Sequence, residues 1–486
     1  MANRPNILFL MSDEHRADIA GFAGNPVVRT PVLDELAATG VTFTNAYTPS
    51  PICVPCRQAL ASGQLPRTCG VEHYGSDLPP FSMTFAKRLT QHGYGTVCCG
   101  KLHHDGPDQM QGWMRRIGGN CRLSWDYVDG LSPNAEVAAD PSTNDGKWSD
   151  AKEIVRAGVG SGTITHTPDR LALQGALEFI NERFVSPYYD KGMPSLPTLL
   201  MLSFNRPHYP YFTREDLFRY YLPRVEPYLE DDAFDHPFLS QRRVRPGIDA
   251  SPREYARATA AYYGMIEEID TDFGTTLDAL RDANQDPDDW WVIYTTDHGE
   301  MLGQHGIWEK QKFFEASARV PLIIRPPRKL REAWGCAGKT INANVNLCDL
   351  FASFCNMADV PLPDDAETVN GAGLDSRSLL PLMRGEVTPG DGWDDETVSQ
   401  FGGTNLMIKR GPLKYQRYDR EDCADQPEVL FDVEAEPDER QNLIDEPRYA
   451  EHVAAFRERC AALAFGPHAD PGYRNAGYRC PNPAAT

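Results

Sequence analysis

No stretch of this 486-residue chain approaches the run of about 20 apolar residues that a membrane-spanning helix needs. The opening residues, MANRPNILFLMSDEH, hold an apolar run only from Ile7 to Met11, and Asp13 and Glu14 follow closely. A secretory leader needs a longer apolar stretch and a small-residue cleavage site, so the expectation is a cytoplasmic protein without membrane contacts. Positive charge is also short: 48 Lys and Arg stand against 69 Asp and Glu, a net charge of -21. That balance argues against a nucleic-acid or anionic-membrane partner. It also means that an anionic substrate must be met by a locally positive pocket. The 12 cysteines are scattered along a long chain and form no compact framework, so they read as mostly reduced thiols. No internal repeat or low-complexity tract is evident.

What is present is the composition of a globular enzyme, 41% apolar and 24% charged. The length exceeds one ordinary core and predicts a large domain plus a second unit. NILFLM (6–11), YGTVCCG (94–100), PTLLMLSF (197–204), DWWVIYTT (289–296) and VPLIIR (320–325) read as short buried strands. Between them, 30–40, 82–93, 168–184 and 252–283 carry helical periodicity, the first two closed by glycine. Strands alternating with helices predict an α/β fold, a large mainly parallel sheet sandwiched by helices. Residues 105–165 are rich in Gly, Asp, Asn and Ser and read as a long insertion. After about residue 390 the pattern changes. NLMIKRGPLKYQRY (405–418) and EVLFDVEAE (428–436) predict strands of a small antiparallel sheet, followed by a helix at 447–465. The expected division is a catalytic domain over 1–390 and a smaller α+β subdomain with a tail over 391–486.

In an open α/β sheet, sites form at the carboxyl ends of strands. Asp13 lies past the first strand, Lys101 and His103 past the second, His208 past the third, and Asp297 with His298 past the fourth. One aspartate after a strand is usually a turn or cap residue, but four strand ends each delivering acids, imidazoles or an ammonium point to one site. Hard acids with one imidazole suit a divalent cation held mainly through oxygen. Asp13, Asp297 and His298 are its expected ligands; Glu14 adds a further oxygen or only caps the next segment. Calcium is the expected ion, with magnesium and manganese as alternatives.

The stretch PICVPCRQALASG (51–63) places Cys53 and Cys56 two residues apart, around Val54 and Pro55. A thioredoxin-type pair needs a small βαβ domain, and this chain is far too large for that alone. A structural zinc site needs a second pair of thiols, and the adjacent Cys98 and Cys99 are poorly spaced for one. CVPCR instead resembles the C-x-P-x-R tag of the formylglycine-dependent (type I) sulfatases, members of the alkaline-phosphatase-like superfamily. Cys56 stands where many of them carry serine. The resemblance extends to the amino-terminal block from Pro5 to Tyr47, to GKLH (100–103), to RPHYPY (206–211), to DHGEMLGQHGIWEKQKFFEASARVPLIIRPP (297–327) and to VLFDVEAEPDERQNL (429–443).

The resemblance implies the roles of particular residues. Cys53 is oxidised after synthesis, by a formylglycine-generating enzyme, to an aldehyde whose hydrate is the nucleophile and a further metal ligand. Arg57 steadies it, and His103 supports or deprotonates it. Lys101, His208 and Lys310 grip the sulfate oxygens, and His208 or Lys310 protonates the leaving oxygen. The implied activity is arylsulfatase-like: metal-dependent hydrolysis of sulfate monoesters to inorganic sulfate and an alcohol or phenol. The alternative is a phosphonate monoester or phosphodiester hydrolase with the same nucleophile; the lysine of GKLH favours the sulfatase. A thiol redox protein built on Cys53 and Cys56 is a third, non-hydrolytic reading. The expected substrate is a small sulfate ester. Residues 105–165 and the tail after 466 are the expected seats of specificity or subunit contacts, with a homo-oligomer expected. His305 is a further candidate, whereas His15, His104 and Lys312 read as surface or rim residues.

Overall fold

The segment Ile7–Asp13 (β1) shows why the sheet sits where it does. Ile7, Phe9 and Met11 enter one apolar layer, Leu8 and Leu10 the other, and none is more than 1% exposed. Successive side chains of a strand point to opposite faces, and a strand apolar on both faces is buried between two layers. The computed structural model describes residues 4–118, 151–185, 196–230, 236, 244–419, 427–465 and 478–479. Its main sheet adds Val41–Tyr47 (β2), Gly95–Gly100 (β3), Arg115–Ile117 (β4), Thr198–Pro207 (β5), Trp291–Thr296 (β6), Arg319–Arg325 (β7), Lys339–Ile341 (β8) and Val345–Asn346 (β9). The order is β8-β2-β7-β6-β1-β5-β3-β4, with β9 also on β2, nine strands in all. Neighbours are parallel except at β7, which runs against both β6 and β2.

Helices cover both faces. Pro31–Thr39 (α1), His166–Ile180 (α4) and Pro252–Asp282 (α5) pack on the Leu8 and Leu10 side. Cys53–Ser62 (α2), Phe85–Gln91 (α3) and Asp349–Met357 (α6) pack on the other, where the Phe9 and Phe354 rings meet edge-on at 5.1 Å. Local chemistry fixes the ends: Pro31 opens α1, the Thr84 hydroxyl caps α3, and Ser251 with Glu254 forms a capping box on α5.

A separate antiparallel sheet is formed by Glu396–Phe401 (β10), Asn405–Arg410 (β11), Leu413–Tyr418 (β12) and Glu428–Asp432 (β13). Ala450–Ala462 (α7) closes it, stacking Phe456 on Tyr415 with centroids 5.3 Å apart. The fold is therefore the expected mainly parallel α/β sandwich with a carboxyl-terminal antiparallel sheet. Three details differ from the sequence reading. The run 405–418 is two strands that turn at Gly411 and Pro412. Strands β2, β8, β9 and β10 and helices α2 and α6 lie outside the elements read from the sequence. The stretch read as an insertion contributes β4 to the edge of the main sheet. Its residues 119–150 lie outside the described residues, as does the tail beyond 465 except 478–479, whose backbone pairs with Ser76–Asp77. Among the described residues, nine cysteines are free and buried, and no helix is long and apolar enough to cross a membrane.

Candidate active site

The carboxyl ends of β1, β3, β5 and β6 converge on the first turn of α2. Cys53 is the first residue of that helix and is buried, as are Val54, Pro55, Cys56 and Arg57. Two glycines let the strand ends close in. Gly100 has φ 101, and a Cβ there would sit 2.0 Å from the Ser203 carbonyl. This turn sends Lys101 toward Asp13. A Cβ on Gly299 would sit 2.0 Å from the Ala316 carbonyl, so only glycine lets the loop after β6 lie against the segment before β7.

Asp13, Cys53, Asp297 and His298 offer ligand atoms that all lie within 4.8 Å of one another. Arg57 ties them together. Its Nε donates to Asp297 Oδ2 at 2.8 Å, its Nη2 approaches Asp13 Oδ2 at 3.4 Å, and its Nη1 donates to Ser203 Oγ at 3.0 Å and to the Lys101 carbonyl at 3.1 Å. Lys101 Nζ donates to Asp13 Oδ2. Asp297 Oδ1 accepts the backbone N–H of Glu14 at 3.1 Å and of His298 at 3.0 Å. Burial alone would raise the Asp13 carboxyl; Lys101, His208, Arg57 and His298 together hold it well below the usual carboxylate range.

A second group adjoins the first: Asp13, Glu14 and His208 also bring ligand atoms within 4.8 Å of one another. Lys310 Nζ donates to Glu14 Oε2 at 2.8 Å and meets His208 Nε2 at 2.5 Å. His208 Nδ1 lies 2.6 Å from the Tyr209 carbonyl, so Nδ1 carries the ring proton. The Tyr209 ring sits under both, 4.1 Å from the imidazole and 4.6 Å from Lys310 Nζ. Burial and the facing Lys310 push His208 well below the ordinary imidazole value; burial also opposes the charge on Lys310, but Glu14, Tyr209, Cys53 and Asp13 together overcome it and hold Lys310 high.

The donor set fits a divalent cation. Asp13 Oδ1, Glu14 Oε1 and His298 Nε2 are buried without a hydrogen-bond partner, a costly state for polar atoms unless something else is coordinated there. His298 Nδ1 lies 3.0 Å from the Gly299 carbonyl, which places its proton on that side and turns the Nε2 lone pair toward Asp13 and Asp297. Burial, with Lys310 adding, lowers its basicity and keeps the ring neutral, as a ligand must be.

Of the residues singled out from the sequence, Asp13, Cys53, Arg57, Lys101, Asp297 and His298 thus form one cluster, and Glu14, His208 and Lys310 adjoin it. His103 lies on the loop after β3; its Nε2 is 3.4 Å from the Tyr74 hydroxyl and its carbonyl accepts from Gln58 of α2. Three expectations are corrected. His15 is fully buried between the Tyr294 hydroxyl and the Ile19 carbonyl. His104 is buried, 3.4 Å from Asp77 and bonded to Gln58. Lys312 is 2% exposed rather than a surface residue. His305 packs on Phe314 at 4.5 Å and faces Glu230 at 3.5 Å, a structural setting. Sequence reasoning missed Ser203, Gln58 and Tyr74; for Gln58 the only available signal was its place directly after Arg57.

The sulfatase family model matches residues 5–360. The chain belongs to the sulfatase family. A model for the carboxyl-terminal region of N-sulphoglucosamine sulphohydrolase also matches residues 303–465 of this sulfatase-family chain. It is 29% identical over 478 residues to a choline-sulfatase of Rhizobium meliloti (strain 1021), covering 94% of this chain and 86% of that one. To an arylsulfatase of Clostridium perfringens (strain 13 / Type A) it is 27% identical over 481 residues, 94% of this chain and 93% of the other. Two solved structures share its fold. A protein in complex with its substrate D-glucosamine-2-N,6-O-disulfate has a TM-score of 0.72 at 18% identity, covering 95% of this chain and 98% of that one. A phosphonate monoester hydrolase of Agrobacterium radiobacter has a TM-score of 0.69 at 22% identity, covering 95% of each.

Proposed function

We propose that this sulfatase-family enzyme hydrolyses small sulfate monoesters, with a nucleophile made from Cys53 and a divalent cation, calcium first, held by Asp13, Asp297 and His298 with Glu14 as a further oxygen. The observation that carries this reading is the placement of Cys53 within ligand distance of Asp13, Asp297 and His298. Relatives named choline-sulfatase and arylsulfatase support the substrate class. The thiol itself is ill suited to redox work: burial, with Asp13 adding, pushes Cys53 up to about 11, and burial drives Cys56 well above its ordinary value too. Converted to formylglycine by a maturation enzyme, position 53 would supply a hydrate with one hydroxyl to attack sulfur and a second through which the aldehyde is regenerated. A bound cation would supply acidity to that hydroxyl and neutralise charge.

The chain's own groups then have separate tasks. Arg57 holds the Asp13 and Asp297 carboxylates apart and in register. Lys101 and Lys310 face the position of the sulfate oxygens and stabilise charge that builds on them. His103, on the loop after β3 and tied through its carbonyl to Gln58 of α2, is assigned the support or deprotonation of the nucleophile. At the leaving oxygen, His208 is kept neutral and Lys310 cationic, so the proton of that pair resides on Lys310, with His208 aiming it. The catalytic unit is assigned to 1–390, the smaller subdomain and tail to 391–486, and the working form to a homo-oligomer.

The test is an ester panel run on wild type and Cys53→Ala, with intact mass measured on both. Choline sulfate, nitrophenyl sulfate and a sugar sulfate are set against a phosphonate monoester and a phosphodiester. The expected result is turnover of sulfate esters by a wild type whose mass shows a carbonyl in place of the Cys53 thiol, and none by Cys53→Ala. Undiminished turnover by Cys53→Ala would sink the reading. Preference for the phosphonate would favour the second substrate class, which a hydrolase of the same fold makes the alternative.

A further inference from the structure

His208 sits on an irregular segment between β5 and the buried Thr213, and its ring meets its neighbour's carbonyl, Lys310, Glu14 Oε2 at 3.5 Å and the Tyr209 ring, none of which holds the main chain of the segment. Something else must fix the backbone beneath it. Upstream, the fully buried Asp169 in the first turn of α4 spends both oxygens on two consecutive residues. Its Oδ1 accepts the Asn205 backbone N–H at 2.6 Å and side-chain amide at 2.9 Å; its Oδ2 accepts the Arg206 N–H at 3.0 Å and Nε at 2.8 Å. The His208 N–H in turn donates to the Asn205 carbonyl at 3.0 Å.

Downstream the same segment meets α5. A Cβ on Gly264 would lie 2.5 Å from the Thr213 hydroxyl, so the chain runs directly against the helix there. One turn on, Glu268 is 5% exposed and reaches both flanks of the His208 segment. Its Oε1 accepts the Thr213 hydroxyl at 2.6 Å and the Arg214 N–H at 2.9 Å, and its Oε2 accepts Arg206 Nη1 at 2.9 Å and lies 3.2 Å from His166 Nε2. Although burial opposes it, His166, Arg206, Thr213 and the Arg214 amide hold Glu268 down to about 2, ionised throughout the working range.

We propose that Glu268 and Asp169 are positioning residues for the His208–Lys310 pair, clamping both ends of the segment 205–214 so that the imidazole stays on Lys310 Nζ. This rests on the hydrolytic reading above for its consequence, though not for its geometry. A carboxylate suits the task because every group it meets is a donor. An amide at either position would turn an N–H toward one of those donors and release one flank.

The test uses Glu268→Gln and Asp169→Asn in the full-length enzyme. With an alkyl sulfate, kcat should fall about ten- to a hundredfold, the scale set by an ångström-sized displacement of a catalytic group, while KM stays near wild type. With nitrophenyl sulfate, whose leaving oxygen needs little proton, the loss should be much smaller. Amide exchange in 205–214 should speed up in both variants. Added to His208→Ala, Glu268→Gln should cost nothing further, because both act on one unit. Wild-type kcat on the alkyl ester, equal loss on both esters, additive loss with His208→Ala, or unchanged exchange would each overturn the proposal. If Glu268→Gln does not fold, Thr213→Val removes one of its donors and carries the same comparison with a smaller loss. A wild type that turns over no sulfate ester would sink the functional reading instead, and the exchange measurement would still decide the clamp.

Discussion

Arg57→Met takes away the guanidinium that touches both Asp13 and Asp297, and the structure sets the scale of the consequence. Both carboxylates are 0% exposed and Arg57 itself is 5% exposed. Arg57 also donates to Ser203 Oγ and to the carbonyls of Lys101 and Ser12. Removing one member of a buried ion pair leaves an uncompensated charge out of water, which costs about 3–5 kcal/mol. Methionine fills much of the arginine stem, so little cavity is added and about 4 kcal/mol is the expected loss. With a denaturant slope of about 3 kcal/mol/M, the urea midpoint should drop by roughly 1 M.

The sign of a second substitution distinguishes this account from a simple loss of packing. If the cost is stranded negative charge, Asp297→Asn placed on Arg57→Met should recover about 1–2 kcal/mol, although Asp297→Asn alone destabilises the wild type. The assay is urea unfolding of the four proteins of the cycle in chelator, so that no added cation substitutes for the guanidinium. A loss below about 1 kcal/mol for Arg57→Met would place the pair among interactions of surface strength and refute the reasoning. So would an Asp297→Asn effect that simply adds.

Chelator should abolish ester turnover and lower the melting temperature; saturating calcium, at about a hundred times its Kd, should restore about 2.7 kcal/mol of stability. Asp13→Asn should lose that thermal response, and a response unchanged in Asp13→Asn would contradict the ligand set. A pH effect is expected away from the site, at Asp270 on α5, which accepts the N–H groups of Val32 and Leu33 at 3.1 and 2.9 Å. Burial pushes its carboxyl up to about 7, with Asp34 and Glu267 adding. An unfolded Asp titrates near about 3.9, so across about pH 4 to 7 the unfolded chain holds fewer protons than the folded one and stability falls as pH rises. The total is about 4 kcal/mol at about 1.4 per pH unit. Asp270→Asn should remove that slope between about pH 4 and 7, and identical urea-midpoint slopes in the two proteins would disprove it.

The parts of the fold that could be read in advance are those whose own pattern carries the information. Strand β1 is apolar on both faces and can only be central, and α5 has its cap, its apolar stripe and its length in plain view. Helix α2 hid because eight consecutive residues, Cys53 to Leu60, are all buried, so no polar face marks a period. Strand β2, VTFTNAY, by contrast alternates Val41 and Phe43 with threonines between Gly40 and Pro49, so its signal is present in the sequence. The catalytic candidates were legible because strand ends are local features. The settings of His15 and His104 were not, since their partners, Tyr294 and Asp77, lie elsewhere in the chain. The same holds for Glu268, which sits 62 residues from Arg206 in sequence. Buried polar residues are decided by long-range pairing, and a single sequence shows only one side of each pair.

The charge of the site resolves the conflict between an acidic chain and an anionic substrate. Overall the protein carries a net charge of -21, yet at the strand ends the carboxylates of Asp13, Glu14 and Asp297 are matched by Arg57, Lys101 and Lys310. These six side chains thus balance, three acids against three bases. On the proposed reading a divalent cation makes this pocket positive inside an otherwise negative surface, and fields at the surface decay within about 8 Å at physiological salt. A small ester lies wholly inside the favourable region once it has entered. The further sulfates of a polymer would meet a chain whose overall charge is -21. The same electrostatics that permit a sulfate to bind therefore favour one that arrives alone.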